Sequence, residues 1–447
     1  MTQENILFDD IRPGMRYTRT HEVKPGDLTL FALIAGSREV GGRLQAPAIG
    51  AFSLLSSTAT NFFPGNGSIL AGHSMQSFGW IRDGDTLSIA LTIQEKDPAT
   101  RQVIVDCRCE NQDGEVIASG PITLIPPTVK RENRFDEPPQ LTLRQYHVFS
   151  SLRARAAALP PVPTAVAHPT DEASLRGALE AYEAGLITPI LVGPEAKIRA
   201  VADHERLDLA GLRIVDTEHS VASAEVAVAL CRSGEAQALM KGKLHTDELM
   251  RAVMAKEGLR AGKRVSHVYV MDVPAYGRPL LVSDVAINIA PDLGAKVDIT
   301  QNAINLAHVL GIERPKVALL SAVETVYDKM PSTLDAALLC KMADRGQITG
   351  AVLDGPLAFD NAVSKAAAQA KGIESPVAGE ADVLIVPDIE AGNMLAKLMI
   401  YFAGAEAAGI VLGARVPIVL TSRADDVKSR LASAAVMALV AHAKGSH

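Results

Sequence analysis

Residues 416–439 read VPIVLTSRADDVKSRLASAAVMAL, and this stretch decides the class of fold. It opens with an apolar run of strand length and breaks at TSRADD (421–426). It then resumes with helical periodicity: Leu431, Ala434, Ala435, Ala438 and Leu439 fall at i, i+3, i+4, i+7 and i+8. The same grammar recurs in PILVGP (189–194), ALMKGK (238–243), KVALLSAVE (316–324), GAVLDGP (350–356) and DVLIVPD (382–388). Continuous apolar strands are buried on both faces, so residues 148–447 are expected to form a parallel sheet covered by helices, an α/β domain. In open α/β sheets ligands sit beyond the carboxyl ends of strands. The polar residues closing these runs are therefore the candidates for chemistry.

Ser422 and Arg423 fall at the turn between the strand expected over 416–420 and the helix after it. Free backbone N–H groups and the positive end of the helix dipole point into such a turn. Arg423 adds a planar fork able to grip a phosphate in two places. An ordinary helix N-cap accounts for the Ser and Asp equally well. The second candidate is KGKLHTDELMR (241–251), where Lys241, Lys243 and Arg251 concentrate positive charge. Gly242 is expected to let backbone approach a ligand, and Thr246 to cap a helix. A solvated basic turn is the plainer account of that segment. Further strand-end candidates are Asp284 and Asn288 in LLVSDVAINIAPD, Asp354, Asp360 and Asn361 in LDGPLAFDNA, and Asn393 beside Asp388 and Glu390 in PDIEAGN. Ser266 in RVSHVYV is grouped with them, whereas His267 reads as a satisfied core histidine.

Residues 1–130 follow different rules. Residues 28–35 suggest a short helix and 47–63 a buried central one. Leu87, Ile89, Leu91 and Ile93 alternate with polar or small residues, the period of a half-buried strand. Further strands are expected over 103–110 and 115–125, giving an α+β unit with a sheet wrapped on a helix. Prolines at 126–127, 138–139, 160–161 and 163 mark the junction, and residues 131–147 are expected to be a linker.

The chain has 447 residues, 48% of them apolar, 21% charged and 4% aromatic, with formal charge −7. This balance argues against broad nucleic-acid binding but leaves room for a local anion site. Four cysteines, with only Cys107 and Cys109 close together, fit a reducing compartment, and no metal site is expected. The acidic N-terminus has no apolar core, and no apolar run is long enough to span a bilayer, so a cytoplasmic location is expected. Neither nucleotide-binding glycine fingerprint is present.

From about 148 to 440 the sequence closely resembles the phosphate acetyl/butyryltransferase family. The stretches that carry this include AHPTDEASLRGALEA, ALMKGKLHTDELM, LLVSDVAINIAPDLGAKVDITQNAINLAHVLGIERPKVALLSAVETV, LDGPLAFDNAVSK and PIVLTSRAD. The butyryl-type branch is the nearer one. The resemblance implies two α/β subdomains flanking a cleft, akin to isocitrate/isopropylmalate dehydrogenases. It also implies a homodimer or higher homo-oligomer. The substrates would be an acyl-CoA, acetyl above all, and inorganic phosphate, with coenzyme A as substrate and no metal or organic cofactor. The family's Ser–Arg pair falls on Ser422 and Arg423 and a second phosphate-side arginine on Arg251; a strict count for the catalytic aspartate reaches Ser429, and of the nearest carboxylates, Asp425 and Asp426, the role is assigned to Asp425. Residues 1–130, clearest at HSMQSFGWIRDGDTLSIALTIQEKD (73–97), resemble a MaoC-like hot-dog domain, the fold of (R)-specific enoyl-CoA hydratases. That family needs an Asp and a His five residues later. Here Ser37 and Gly42 stand in those places, and they cannot form an acid/base pair. Three readings follow: an acyltransferase with a hot-dog domain kept for assembly or acyl-CoA binding, a bifunctional hydratase and acyltransferase, or a structural protein in which neither half turns over.

Overall fold

The computed structural model describes residues 3–35, 38–40, 43–133, 148–420 and 427–445. Contacts divide the chain into two units, Met1–Leu143 and Arg144–His447.

In the first unit the strands Arg16–Glu22, Thr86–Asp97, Gln102–Glu110, Val116–Ile125 and Ile69–His73 form an antiparallel sheet in that order. Period-two patterning places Leu87, Ile89, Leu91, Val103, Val105, Cys107 and Cys109 on one inner face, all buried. The helix Ile49–Asn61 lays Ala51, Leu55 and Ala59 on that face, and its small side chains let it come close. A sheet wrapped on a helix is what the alternation predicts. Cys107 and Cys109 do share a face, and it is the core face; burial pushes both thiols up to about 12. Glu132–Asn133, expected to be linker, pair with Gln3–Glu4 as a short antiparallel ladder.

The second unit is built on one large sheet. Its described strands run in the order Arg213–Asp216, Ile187–Gly193, Val162–Ala167, Ala238–Lys241, Ile418–Val419, Glu406–Leu412, Ser266–Asp272, Pro279–Ser283, Val383–Ile385, Lys316–Leu320, Val352–Leu357. The strand expected over 416–420 is reduced to Ile418–Val419. The first five strands are mutually parallel, and so are the last four. Between them lie three antiparallel pairings, so the sheet is mixed rather than parallel throughout. The reason is connection length. Only residues 273–278 join Ser266–Asp272 to Pro279–Ser283, too short for the crossover a parallel pair needs. The two parallel groups consequently run in opposite directions.

Helices cover both faces unequally. On one face Met240, Val268, Val270, Leu281, Val383, Ile410 and Val419 join a single core with the helices Phe149, Leu175, Ile299 and Val436 come from. On the other face the burial splits. One cluster holds Leu239, Leu249, Val411 and Leu420; the other holds Leu280, Val282, Leu384 and Met399. Ala286 packs against both. No helix among the described residues is long and apolar enough to cross a membrane.

Candidate active site

The gap between the two clusters is a cleft. It is a cavity of about 590 Å³ lined by Thr246, Val285, Ala286, Ile389, Glu390, Asn393 and Met394. Two helix N-termini open onto it. One belongs to Thr246–Met254 and the other to Ile389–Tyr401. Their free N–H groups and aligned dipoles favour negative charge there. Asp388 caps the second helix through the N–H of Ala391 at 2.8 Å. The first is capped by His245, not by Thr246 as expected. Glu248, three residues on, accepts the His245 N–H at 3.2 Å, which only works with the helix starting at Thr246.

Lys241 ends the strand Ala238–Lys241, between Ala167 and the strand Ile418–Val419, and is buried. Its register places it level with Leu420. Ser422, Arg423 and Asp425 lie outside the described residues. Gly242 has a different reason from the one expected. A Cβ there would meet the carbonyls of Ala167 and His168 at 2.5 and 2.6 Å, so the close approach is to the protein's own backbone. Lys243 is exposed on the next residue.

Arg251 sits elsewhere on its helix. It is exposed and lines a groove of about 390 Å³ with Glu225, Arg232, Glu248 and Glu257, facing the helix Ser220–Ser233. Ser266 is buried, and its hydroxyl accepts from Asn302 Nδ2 at 3.0 Å. Asp354 lies on the edge strand Val352–Leu357, three strand spacings or about 14 Å from the strand that leads to Asp284. Asp360 is exposed and pairs with Lys371 at 3.5 Å. Asn361 is fully buried, and its side-chain amide has no partner among the described residues.

Asp284, Asn288 and Asn393 meet at the cleft wall. Asn393 Nδ2 donates to the Val285 carbonyl at 3.3 Å. The Asp284 carboxylate is buried and accepts the main-chain N–H groups of His267, Ala286, Ile287 and Asn288 at 3.0–3.2 Å, as well as Asn288 Nδ2. His267 is only half satisfied. Its Nε2 lies 3.3 Å from the Leu420 carbonyl, while Nδ1 has no partner among the described residues. Burial lowers its pKa, against the pull of Asp284, and keeps the ring neutral.

One residue escaped sequence reasoning. His168, at the carboxyl end of Val162–Ala167, is buried with φ +57° and bonds Ser223 through Nδ1 at 2.9 Å. Burial, then Lys197, lowers its pKa. Its signal was its place: the first polar residue after an apolar strand and just before Pro169. No group of His, Cys, Asp and Glu suited to a metal occurs among the described residues.

Opposed parallel strand groups, a continuous core on one face and a split core on the other define a mixed α/β protein. A family profile described as phosphate acetyl/butaryl transferase matches residues 222–438. The phosphate acetyltransferase of Rhizobium meliloti is 63% identical over 294 residues, 66% of this chain and 93% of that protein. The phosphate butyryltransferase of Clostridium beijerinckii is 44% identical over 66% of this chain and 97% of its own length. Among solved structures, a branched-chain phosphotransacylase from Enterococcus faecalis superposes with a TM-score of 0.56 at 31% identity, covering 63% of this chain and 99% of that one. The chain belongs to the phosphate acetyl/butyryltransferase family, and it is a transferase.

Proposed function

We propose that the cleft transfers a short acyl group, acetyl foremost, between coenzyme A and inorganic phosphate. The observation that carries this is the opening of two helix N-termini onto one cavity, with Lys241 buried at the end of the strand that pairs with Ile418–Val419. Both substrates bring phosphate groups, and fixed dipoles need no reorganisation to receive them. In the direction of acyl-CoA synthesis, Asp425 takes the proton of the coenzyme A thiol. The thiolate attacks the carbonyl carbon of the acyl phosphate. Ser422 donates to the developing oxyanion, and Arg423 holds the phosphate that leaves with the C–O bonding pair. Coenzyme A enters as substrate, and the proposal uses no metal or organic cofactor. The test is thiol release from acetyl-CoA plus phosphate. Arg423→Ala should cut kcat by about 100- to 1,000-fold, the range for losing one transition-state donor. Wild-type kinetics in that variant would remove Arg423 from the reaction. Arg251 as a second phosphate-side cation is a separate part of the proposal. Arg251→Ala should raise the KM for phosphate, and an unchanged value rejects the assignment.

Lys243, Ser266, Asp354, Asp360 and Asn361 remain proposed cleft residues, and alanine variants that leave both KM values unchanged would strike them out. The lobes are proposed to be arranged as in isocitrate/isopropylmalate dehydrogenases, which the opposed strand groups support; a crystal structure that fails to superpose on them rejects this. A cytoplasmic location and self-association are proposed as well. The stripe Met394, Leu398 and Tyr401, exposed along one helix and continued by its C-cap Phe402, supports the latter. A monomer mass by light scattering would dispose of it.

The first unit is proposed to be a hot-dog domain that no longer hydrates, kept for assembly or acyl-CoA binding. Its sheet-on-helix core supports the fold, and Ser37 and Gly42, outside the described residues, replace the acid/base pair. Loss of enoyl absorbance from crotonyl-CoA would overturn this in favour of a bifunctional enzyme.

A further inference from the structure

We propose that Asp284 and His267 are positioning residues that tie the wall of the cleft to the root of TSRADD, an inference that rests on the functional reading above. A carboxylate at a cleft invites assignment to the substrate, but this one faces inward. Two carboxylate oxygens offer about four acceptor sites, and five N–H groups already occupy them. Its work is to close the turn 284–288 and to hold it against the strand Ser266–Asp272 through the His267 N–H at 3.2 Å. Asn288 Nδ2 fastens the far end of that turn to the Val265 carbonyl at 2.9 Å.

The fastened turn presents Val285 and Ala286 to the cleft. The helix Ile389–Tyr401 docks directly on it. At Gly392 a Cβ would meet the Asp284 carbonyl at 2.5 Å, so glycine is needed for this approach. Asn393 then bonds Val285 from the same helix. In the other direction the His267 ring reaches the Leu420 carbonyl. A carbonyl only accepts, so Nε2 carries the proton and Nδ1 does not. Gly409 leaves room for this contact; a Cβ there would meet the Leu420 carbonyl at 2.6 Å and His267 Nε2 at 2.9 Å. The line of contacts runs Asn393, Val285, Asp284, His267, Leu420. It joins the helix Ile389–Tyr401 to Leu420, the last residue before Thr421. A buried carboxylate and a buried imidazole are a poor choice for stability alone, since well-packed apolar groups of similar size serve as well. They are a good choice for fixing one geometry, which catalysis by orientation requires.

Three substitutions at 267 test this, with kcat, both KM values and melting temperature measured for each. Gln places its amide near Nε2 and can keep the bond to Leu420. Asn reaches only the Nδ1 position, and Leu removes both nitrogens. His267→Leu should lower kcat by about 10- to 100-fold, as small misplacements of reacting groups do. The KM values should change little, and His267→Gln should recover most of the loss. Should the leucine variant fail to fold, the two amide variants decide: Gln active and Asn impaired at equal melting temperatures supports the proposal. Equal kcat in Gln and Asn overturns it, as does wild-type kcat in Leu. If the wild-type protein transfers no acyl group, the functional reading falls and this inference with it; an active wild type with unaffected variants overturns this inference alone.

Discussion

The two faces of the large sheet are made from the same strands and behave differently. Val268, Val270 and Leu281 point to a face where one core runs unbroken across the sheet. His267, Leu280 and Val282 alternate with them and point to the face where the core divides. The unbroken face ties both parallel strand groups into one core. The divided face gives up apolar burial at the cavity lined by Thr246, Val285, Ala286 and Asn393, onto which two helix N-termini open. Stability and function are thus separated by the period of a β-strand: neighbouring residues serve opposite sides.

Substitutions on each face can break this contrast or sharpen it. Leu281→Ala, on the unbroken face, should cost about 2–5 kcal/mol of stability by transfer and cavity terms. The folded fraction should keep its KM values, which denaturant titration and steady-state kinetics will check together. A changed KM for either substrate would mean the faces are not separate. Gly392→Ala, on the divided face, should cost about 1–3 kcal/mol, because its Cβ meets backbone that has to move. Here both KM and kcat should worsen, since the turn at 284–288 moves with it. Kinetics indistinguishable from wild type would dissociate that turn from the cleft.

The pH dependence of stability follows from His267. Its folded pKa is lowered, so the unfolded chain binds the extra proton first. Stability is complete above the unfolded value of about 6.5 and declines as pH falls below it, by at most about 1.4 kcal/mol per pH unit for this one proton. His267→Gln should flatten that part of the melting-temperature profile; an unchanged slope would assign it to other groups, such as His168. The smallest effect concerns the thiols. Burial pushes Cys107, Cys109, Cys231 and Cys340 up to about 12, so the native protein should react slowly with a disulfide reagent and the denatured protein at once. A fast native phase would locate an open thiol.

Much of the fold was legible because strands and helices have different periods. The alternation in 86–94 and the helical spacing in 431–439 both lead to the observed elements. The antiparallel pairing in the middle of the sheet has no periodic signal; the short connection at 273–278 carries it instead. At the candidate site, the strand ends are legible as polar breaks in apolar runs, whereas hydrogen-bond partners are not. Asp284 looks like a cleft carboxylate in sequence, and only its five donors turn it inward. Gly242 looks like a ligand approach and is an approach to the carbonyls of Ala167 and His168. A single histidine before a proline, such as His168, carries no periodic signal.

By itself the sequence determined the α/β character of the larger unit, the sheet-on-helix plan of the smaller one, and family membership through TSRADD and its companion motifs. These depend on local periodicity and on short segments, which a linear reading preserves. Only the tertiary structure decided that the two strand groups oppose each other, that the core is whole on one face and split on the other, and which polar residues border the split. Those facts depend on pairings between residues such as His267 and Leu420, 153 positions apart. No periodicity reports them, because burial and hydrogen bonding are settled by whatever the folded chain brings together.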